Sequence, residues 1–206
     1  MSDDRIIGVD FSQAEIPLDC LRMLHELPDL EQLSFGSSRM DDAGLAELQG
    51  LPRVRELNLF QSRVGDHGLK YLKNLPGLRR VPMGMTRVTD AGLVHLKELT
   101  QLEYVGLRGN QVTDAGLIHL AGLKSLTGLN LSETKLTNAG LSRLQGLTKL
   151  NTLYLGQTQI SDAGLEHLKM LPELQSVDLI GSQVTEAGVA DLKTALPQLE
   201  VYTKEP

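Results

Sequence analysis

The chain has 206 residues, a net charge of −6 and 41% hydrophobic residues, with no Trp. Its core must therefore be aliphatic, and its length suits one domain or a short repeat array. No run approaches ~18 consecutive apolar residues, which excludes a membrane-spanning helix. The single cysteine, Cys20, excludes an internal disulfide, and Met1-Ser2-Asp3-Asp4-Arg5 lacks the basic-then-apolar layout of a signal peptide. A reducing, cytoplasmic location is the expectation.

A 24-residue period dominates the chain. It is marked by Leu27-Pro28, Leu51-Pro52, Leu75-Pro76, Leu99-Thr100, Leu123-Lys124, Leu147-Thr148 and Leu171-Pro172. Counting back one period reaches Asp3. The predicted repeats are 3–26, 27–50, 51–74, 75–98, 99–122, 123–146, 147–170 and 171–194, within one domain over 1–206. Ala195 then breaks the register by one residue, and a partial terminal repeat, 195–202, closes the array.

Each repeat opens with a strand. Column seven (Val9, Leu33, Leu57, Val81, Val105, Leu129, Leu153, Val177) and column nine (Phe11, Phe35, Leu59, Met83, Leu107, Leu131, Leu155, Leu179) are apolar. Two-residue spacing places them on one face of a strand. Ile6 heads a further apolar column at position four, and Ile16 another at position fourteen. A helix follows, announced by Thr89-Asp90-Ala91-Gly92-Leu93 and its copies at 113–117 and 161–165. Thr or Ser suits the N-cap, and Asp suits the positive end of the helix dipole. The recurring Gly is expected to let the first helical turn sit close against its neighbours.

The pattern Leu102-x-x-Val105-x-Leu107-x-x-Asn110-x-Val112 resembles the leucine-rich-repeat consensus. The Thr-Asp-Ala-Gly-Leu variant is similar to the cysteine-containing repeats of F-box proteins and to bacterial 24-residue repeats, although no F-box segment is recognisable. The resemblance implies an α/β fold. It would be a right-handed leucine-rich-repeat solenoid with a parallel β-sheet on the concave face and short helices on the convex face. The consensus Asn survives only as Asn110. Thr86, Thr134, Thr158, Ser38, Ser62, Ser182 and Ala14 fill the slot elsewhere, and a hydroxyl serves the loop backbone more weakly than an amide.

Strands stack at about 4.8 Å and helices at roughly 8–10 Å, so the array bends with its sheet inside. Eight strands would expose roughly 650 Å² of concave sheet, near the ~800 Å² per partner of a standard interface. On that face the frame gathers Phe60, Tyr104 and Tyr154, the aromatics that lie outside core, helix or terminus. Beside them stand Arg55, Arg79, Arg80 and Arg108, with Arg39, Arg63 and Arg87 as a secondary basic ladder in column thirteen. Charge is uneven: residues 51–98 carry 9 Lys/Arg against 4 Asp/Glu, whereas residues 1–50 carry 3 against 11. Stacked arginines repel unless acids or a partner offset them, and Glu31, Glu56 and Glu103 are placed to help.

Pro82 falls inside a predicted strand and should break the sheet locally, because it cannot donate to the ladder. His95, His119 and His167 share one helical column but lie on separate helices, too far apart for one metal. Cys20 is read as a small buried residue, and the pair Asp41-Asp42 as helix-capping acids. No phosphate-binding glycine loop, His-Glu-x-x-His or paired-cysteine motif is present, so neither catalysis nor a cofactor is expected.

The favoured function is a non-catalytic protein–protein interaction module binding a partner with an acidic patch on the concave face. The alternatives are a regulatory or inhibitor subunit of an enzyme, and a weak nucleic-acid binder using the arginine ladder. The acidic chain and the lack of a base-stacking platform rank nucleic acid last. The degenerate first repeat should act as the N-terminal cap. The chain should be a monomer with a thin C-terminal cover open to end-to-end association.

Overall fold

The computed structural model describes residues 5–204, so the reading of Met1–Asp4 as lacking a leader lies outside the described residues. Nine strands form one parallel sheet in chain order: β1 (Gly8–Asp10), β2 (Gln32–Ser34), β3 (Glu56–Asn58), β4 (Arg80–Pro82), β5 (Tyr104–Gly106), β6 (Gly128–Asn130), β7 (Thr152–Tyr154), β8 (Ser176–Asp178) and β9 (Glu200–Tyr202). Each pairs with the next at the 24-residue offset, as in Val9↔Leu33 and Val105↔Leu129. The central residue of each strand points inward; from Leu33 to Val177 these are buried, while its neighbours face the concave side. Short α- and 3-10 segments make the convex side. The last helix, Glu186–Ala195, is the longest of them.

One aliphatic core runs from Leu21 to Leu199, with Phe11 stacked on Phe35 at its N-terminal end, ring centroids 5.4 Å apart. No repeat could bury these residues alone; stacking makes the core continuous. The first repeat is looser than its column pattern implies. Ile6 is 54% exposed and Val9, Phe11 and Ile16 are only half-buried, because among the described residues no strand covers the outer edge of β1. Cys20 is exposed rather than buried, since among the described residues its helix packs against a neighbour on one side only.

The sheet does not break at Pro82. Pairing of β3 with β4 shrinks to Glu56↔Arg80, yet the Leu59 N–H donates to the Pro82 carbonyl at 2.7 Å. The missing proline N–H thins the ladder without opening it, and β4–β5 pairing is complete. At the other end the register shift at Ala195 is absorbed before the last strand. The segment from Leu196 to Glu200 is one residue short, so Asp178 again faces Tyr202 across 24 residues. Tyr202 thereby stands in column eight, on the concave face, rather than merely at the chain end.

After each of β1 to β8 the chain turns through one residue with positive φ: Gln13, Ser37, Gln61, Met85, Gly109, Glu133, Gln157 and Gly181, at 54° to 71°. All occupy column eleven. Only two are glycine, although a left-handed conformation costs other residues roughly 1–2 kcal/mol. The turn directs column twelve into the core. There the hydroxyls of Ser38, Thr86, Thr134 and Thr158 donate to the carbonyl three residues back at 2.6–2.8 Å. Asn110 reaches further: its amide donates to the Met83 carbonyl of the preceding repeat and its Oδ1 accepts from the Thr86 N–H. A hydroxyl thus serves its own turn, whereas the amide ties two turns together. Ser62 Oγ and Ser182 Oγ have no hydrogen-bond partner.

The helix-start acids do more than favour the dipole. Asp90 Oδ1 accepts from the Thr113 N–H of the next repeat at 2.8 Å, and Oδ2 accepts from the Thr113 hydroxyl at 2.6 Å. Asp66, Asp114 and Asp162 make the same pair of bonds to Thr89, Thr137 and Thr185. Asp42 accepts from the Gly65 N–H, and Asn138 substitutes an amide by donating to Ser161 Oγ. Each side chain occupies the space over the next repeat's glycine. A Cβ on Gly68 would lie 2.5 Å from Asp42 Oδ1, and one on Gly92, Gly116 or Gly140 would fall on the preceding carboxylate. The glycine column is therefore the seat of an inter-repeat carboxylate ladder. Capping proper falls to Asp41, Thr89, Thr137 and Thr185.

Candidate functional site

The side chains of the concave face sort into separate groups. At the entry edge of the strands Arg55, Arg79 and Glu31 line a depression of about 360 Å³. Arg55 lies 3.8 Å from Glu31, Arg79 3.0 Å from Glu103, and Arg80 3.6 Å from Glu56. The arginines predicted to repel one another are thus interleaved with carboxylates across neighbouring strands. Each such exposed pair contributes only about 0.2–1 kcal/mol, but together they neutralise the band.

Arg80 also lies over the Tyr104 ring, 5.0 Å from its centroid. On its other side the ring approaches Gly128, where a Cβ would lie 2.8 Å from Cδ2. Burial raises the Tyr104 pKa above the usual phenol value, and nearby Tyr154 adds to this. A hydrogen bond with Asn130 and the Arg80 charge act the other way. Tyr104 is therefore a seated ring rather than an open one. Phe60 is likewise half-buried, its ring edge over Gly84. Both glycines provide the space these rings use.

Tyr154 and Arg108 border a second depression, of about 320 Å³, which also takes in Glu133, Gly156, Asp178 and Ile180. Arg108 is held by Glu133 through two hydrogen bonds, of 2.8 and 2.5 Å. Tyr154, 36% exposed, is the open aromatic among the predicted three. Asp178 and Tyr202 follow it in column eight, in register on β8 and β9. Sequence reasoning missed both, Tyr202 because the one-residue shift hid its column. Tyr202 is 49% exposed, and its hydroxyl donates to Glu200, a bond that raises its pKa.

Column eight carries a further regularity. Asp10, Asn58, Asn130 and Asp178 each accept, through Oδ1, the N–H of the residue two positions on, at 2.8–3.0 Å. This Asx-type turn fixes the exit of the strand. At Asp10 the Ser12 hydroxyl, then its N–H, hold the carboxyl below its usual pKa.

The secondary ladder lies apart, beyond the left-handed turn. Arg39 pairs with Glu15, whereas Arg63 and Arg87 make no ion pair among the described residues. The unneutralised positive charge therefore sits on this ridge rather than on the sheet. Among the described residues no three His, Cys, Asp or Glu side chains converge as metal ligands, and no helix is long and apolar enough to cross a membrane.

An open parallel sheet of nine strands, one per 24 residues, backed by short helices, defines a leucine-rich-repeat solenoid. The family model described as leucine rich repeat matches residues 100–160. No curated protein matches the chain. Among solved structures it is similar to internalin C2 of Listeria monocytogenes, with a TM-score of 0.73 and 24% identity over 97% of this chain and 81% of that one. A second internalin of the same organism matches with a TM-score of 0.50 and 19% identity, over 90% and 70%. At these identities the likeness concerns the fold.

Proposed function

We propose that this chain is a non-catalytic protein-binding scaffold that holds a partner on its concave sheet. The observation that carries the reading is the sheet itself. It is continuous over nine strands, and its outward columns hold aromatic and charged side chains that the core does not use. Leucine-rich-repeat solenoids characteristically present such a surface to other proteins. Phe60, Tyr104 and Tyr154 supply aromatic area, and Arg55, Arg79, Arg80 and Arg108 supply oriented donors. Because those arginines are already paired, they contribute direction more than net charge. An acidic patch on the partner is better matched to Arg63 and Arg87, with Arg39 behind them. The lone exposed Cys20 is compatible with the cytoplasm as the place of action.

The test is affinity capture from native lysate with the parent chain and with the Phe60→Ala/Arg80→Ala/Tyr104→Ala variant. Thermal unfolding of both is followed by circular dichroism. Loss of the captured protein with the fold retained is the expected result. A variant that folds and captures the same protein equally well places the partner elsewhere.

A further inference from the structure

The row Tyr154–Asp178–Tyr202 on the concave face carries a carboxylate that makes no ion pair among the described residues. The three residues are direct partners on successive strands about 4.8 Å apart, so Asp178 stands between two exposed tyrosines in register. Asp178 Oδ1 is occupied by the Ile180 N–H. Oδ2 has no hydrogen bond or ion pair among the described residues, and it leans over Gly156, where a Cβ would lie 3.1 Å away. Gly156 thus gives the carboxylate room to settle, and it does so at the edge of the depression of about 320 Å³ bordered by Tyr154. The other charges at this depression, Arg108 and Glu133, are committed to each other. Lys204, two residues beyond Tyr202, lines a different depression with Val184 and Thr185. Asp178 therefore places an unpaired negative charge beside aromatic faces, and Glu200, held on the Tyr202 hydroxyl, adds to it.

From this geometry we infer that the row is the seat of a basic side chain, an arginine by preference, projecting from the partner protein. A guanidinium there would lie against the Tyr154 ring, donate to Asp178 Oδ2, and have Tyr202 as its second wall. Cations are attracted to aromatic faces, and a guanidinium stacks as well as donates. The inference rests on the concave-face reading for the partner being a protein, and it adds polarity to it. The ridge of Arg63 and Arg87, after β3 and β4, receives acid, and this row on β7 to β9 receives base. A partner would then bind in one orientation.

Asp178→Asn is a clean variant, because Asn58 and Asn130 already make the same turn in the same column. The full-length, 15N-labelled chain is titrated with N-acetyl-arginine methylamide and, separately, with the neutral N-acetyl-glutamine methylamide, following backbone amide shifts. The arginine probe should move the amides of Tyr154, Gly156, Asp178 and Ile180 saturably, and the glutamine probe should not. Asp178→Asn should weaken the arginine response about tenfold with unchanged thermal unfolding, the effect of one charge-assisted contact. The inference is overturned if no saturable shift appears at the row, if Asp178→Asn titrates like the parent, or if the glutamine probe binds equally. A partner captured by the concave face that binds Asp178→Asn unchanged would remove the row and leave the proposed function standing. A row that binds arginine while no partner engages the face would do the reverse.

Discussion

Replacing Asp90 with Ala should uncouple two repeats locally. The change removes an acceptor from the Thr113 N–H and another from the Thr113 hydroxyl, both partly buried. Hydrogen bonds to charged groups are worth about 1.5–3 kcal/mol each. Partial exposure of both partners lowers the combined loss to about 2 kcal/mol. For a chain of this size that corresponds to a fall of about 4–8 °C in Tm. Gly116→Ala should destabilise by a different route, because its Cβ falls on the Asp90 carboxylate and 2.9 Å from Leu93 Cδ1. Most of that clash vanishes when Asp90 is Ala, and the alanine then recovers helix propensity of up to about 1 kcal/mol. The double variant should therefore be more stable than the sum of the singles implies, by about 1 kcal/mol or more. Urea denaturation of the four proteins at neutral pH measures this. Additive single effects would refute the claim that the glycine column exists to seat the carboxylates.

Three further expectations follow from the turns and the ladder. Ser38→Ala should cost about 1 kcal/mol because its hydroxyl donates to the Phe35 carbonyl, whereas Ser62→Ala should be neutral or stabilising because Ser62 Oγ has no partner; equal losses in a denaturation series would contradict this. Gln157→Gly relieves a residue at φ 55° and should raise stability by about 0.5–1 kcal/mol; a measured loss would show that the turn is not strained. Thr185 holds the Asp162 carboxyl below its usual pKa, its hydroxyl acting first and its N–H second. A folded pKa depressed in this way stabilises above the unfolded value and is lost as pH falls through the folded one. Thr185→Val should therefore flatten the acid limb of the stability curve below about pH 4 and leave its neutral shape alone; an unchanged limb would contradict the assignment.

Most of the fold was legible because each repeat repeats its burial as well as its residues. Leu57, Leu59 and Val64 occupy columns that only a strand followed by an inward turn can bury together. The ends were less legible, since Ile6 and Cys20 carry the right residue type but no described residue covers them from the N-terminal side. The left-handed turn was hidden because Gln61, Met85 and Glu133 do not advertise positive φ; only Gly109 and Gly181 hinted at it. The joint recurrence of Asp and Gly two residues apart was an available signal for the inter-repeat ladder, and dipole reasoning alone did not reach it. At the candidate site, columns located Tyr154 and Arg108 but could not show that Arg80 covers Tyr104, or that Glu31, Glu56 and Glu103 neutralise their arginines. Side-chain reach, rather than register, decides such pairings.

The central claim is that the concave sheet is the working surface. It is tested most directly by placing a photo-crosslinking residue at Thr152, on β7 facing the concave side, and separately at Ile118, exposed on the convex side. Irradiation in native lysate should yield a discrete crosslinked protein from position 152 and none from position 118. A discrete product from position 118 with none from 152 would contradict the account.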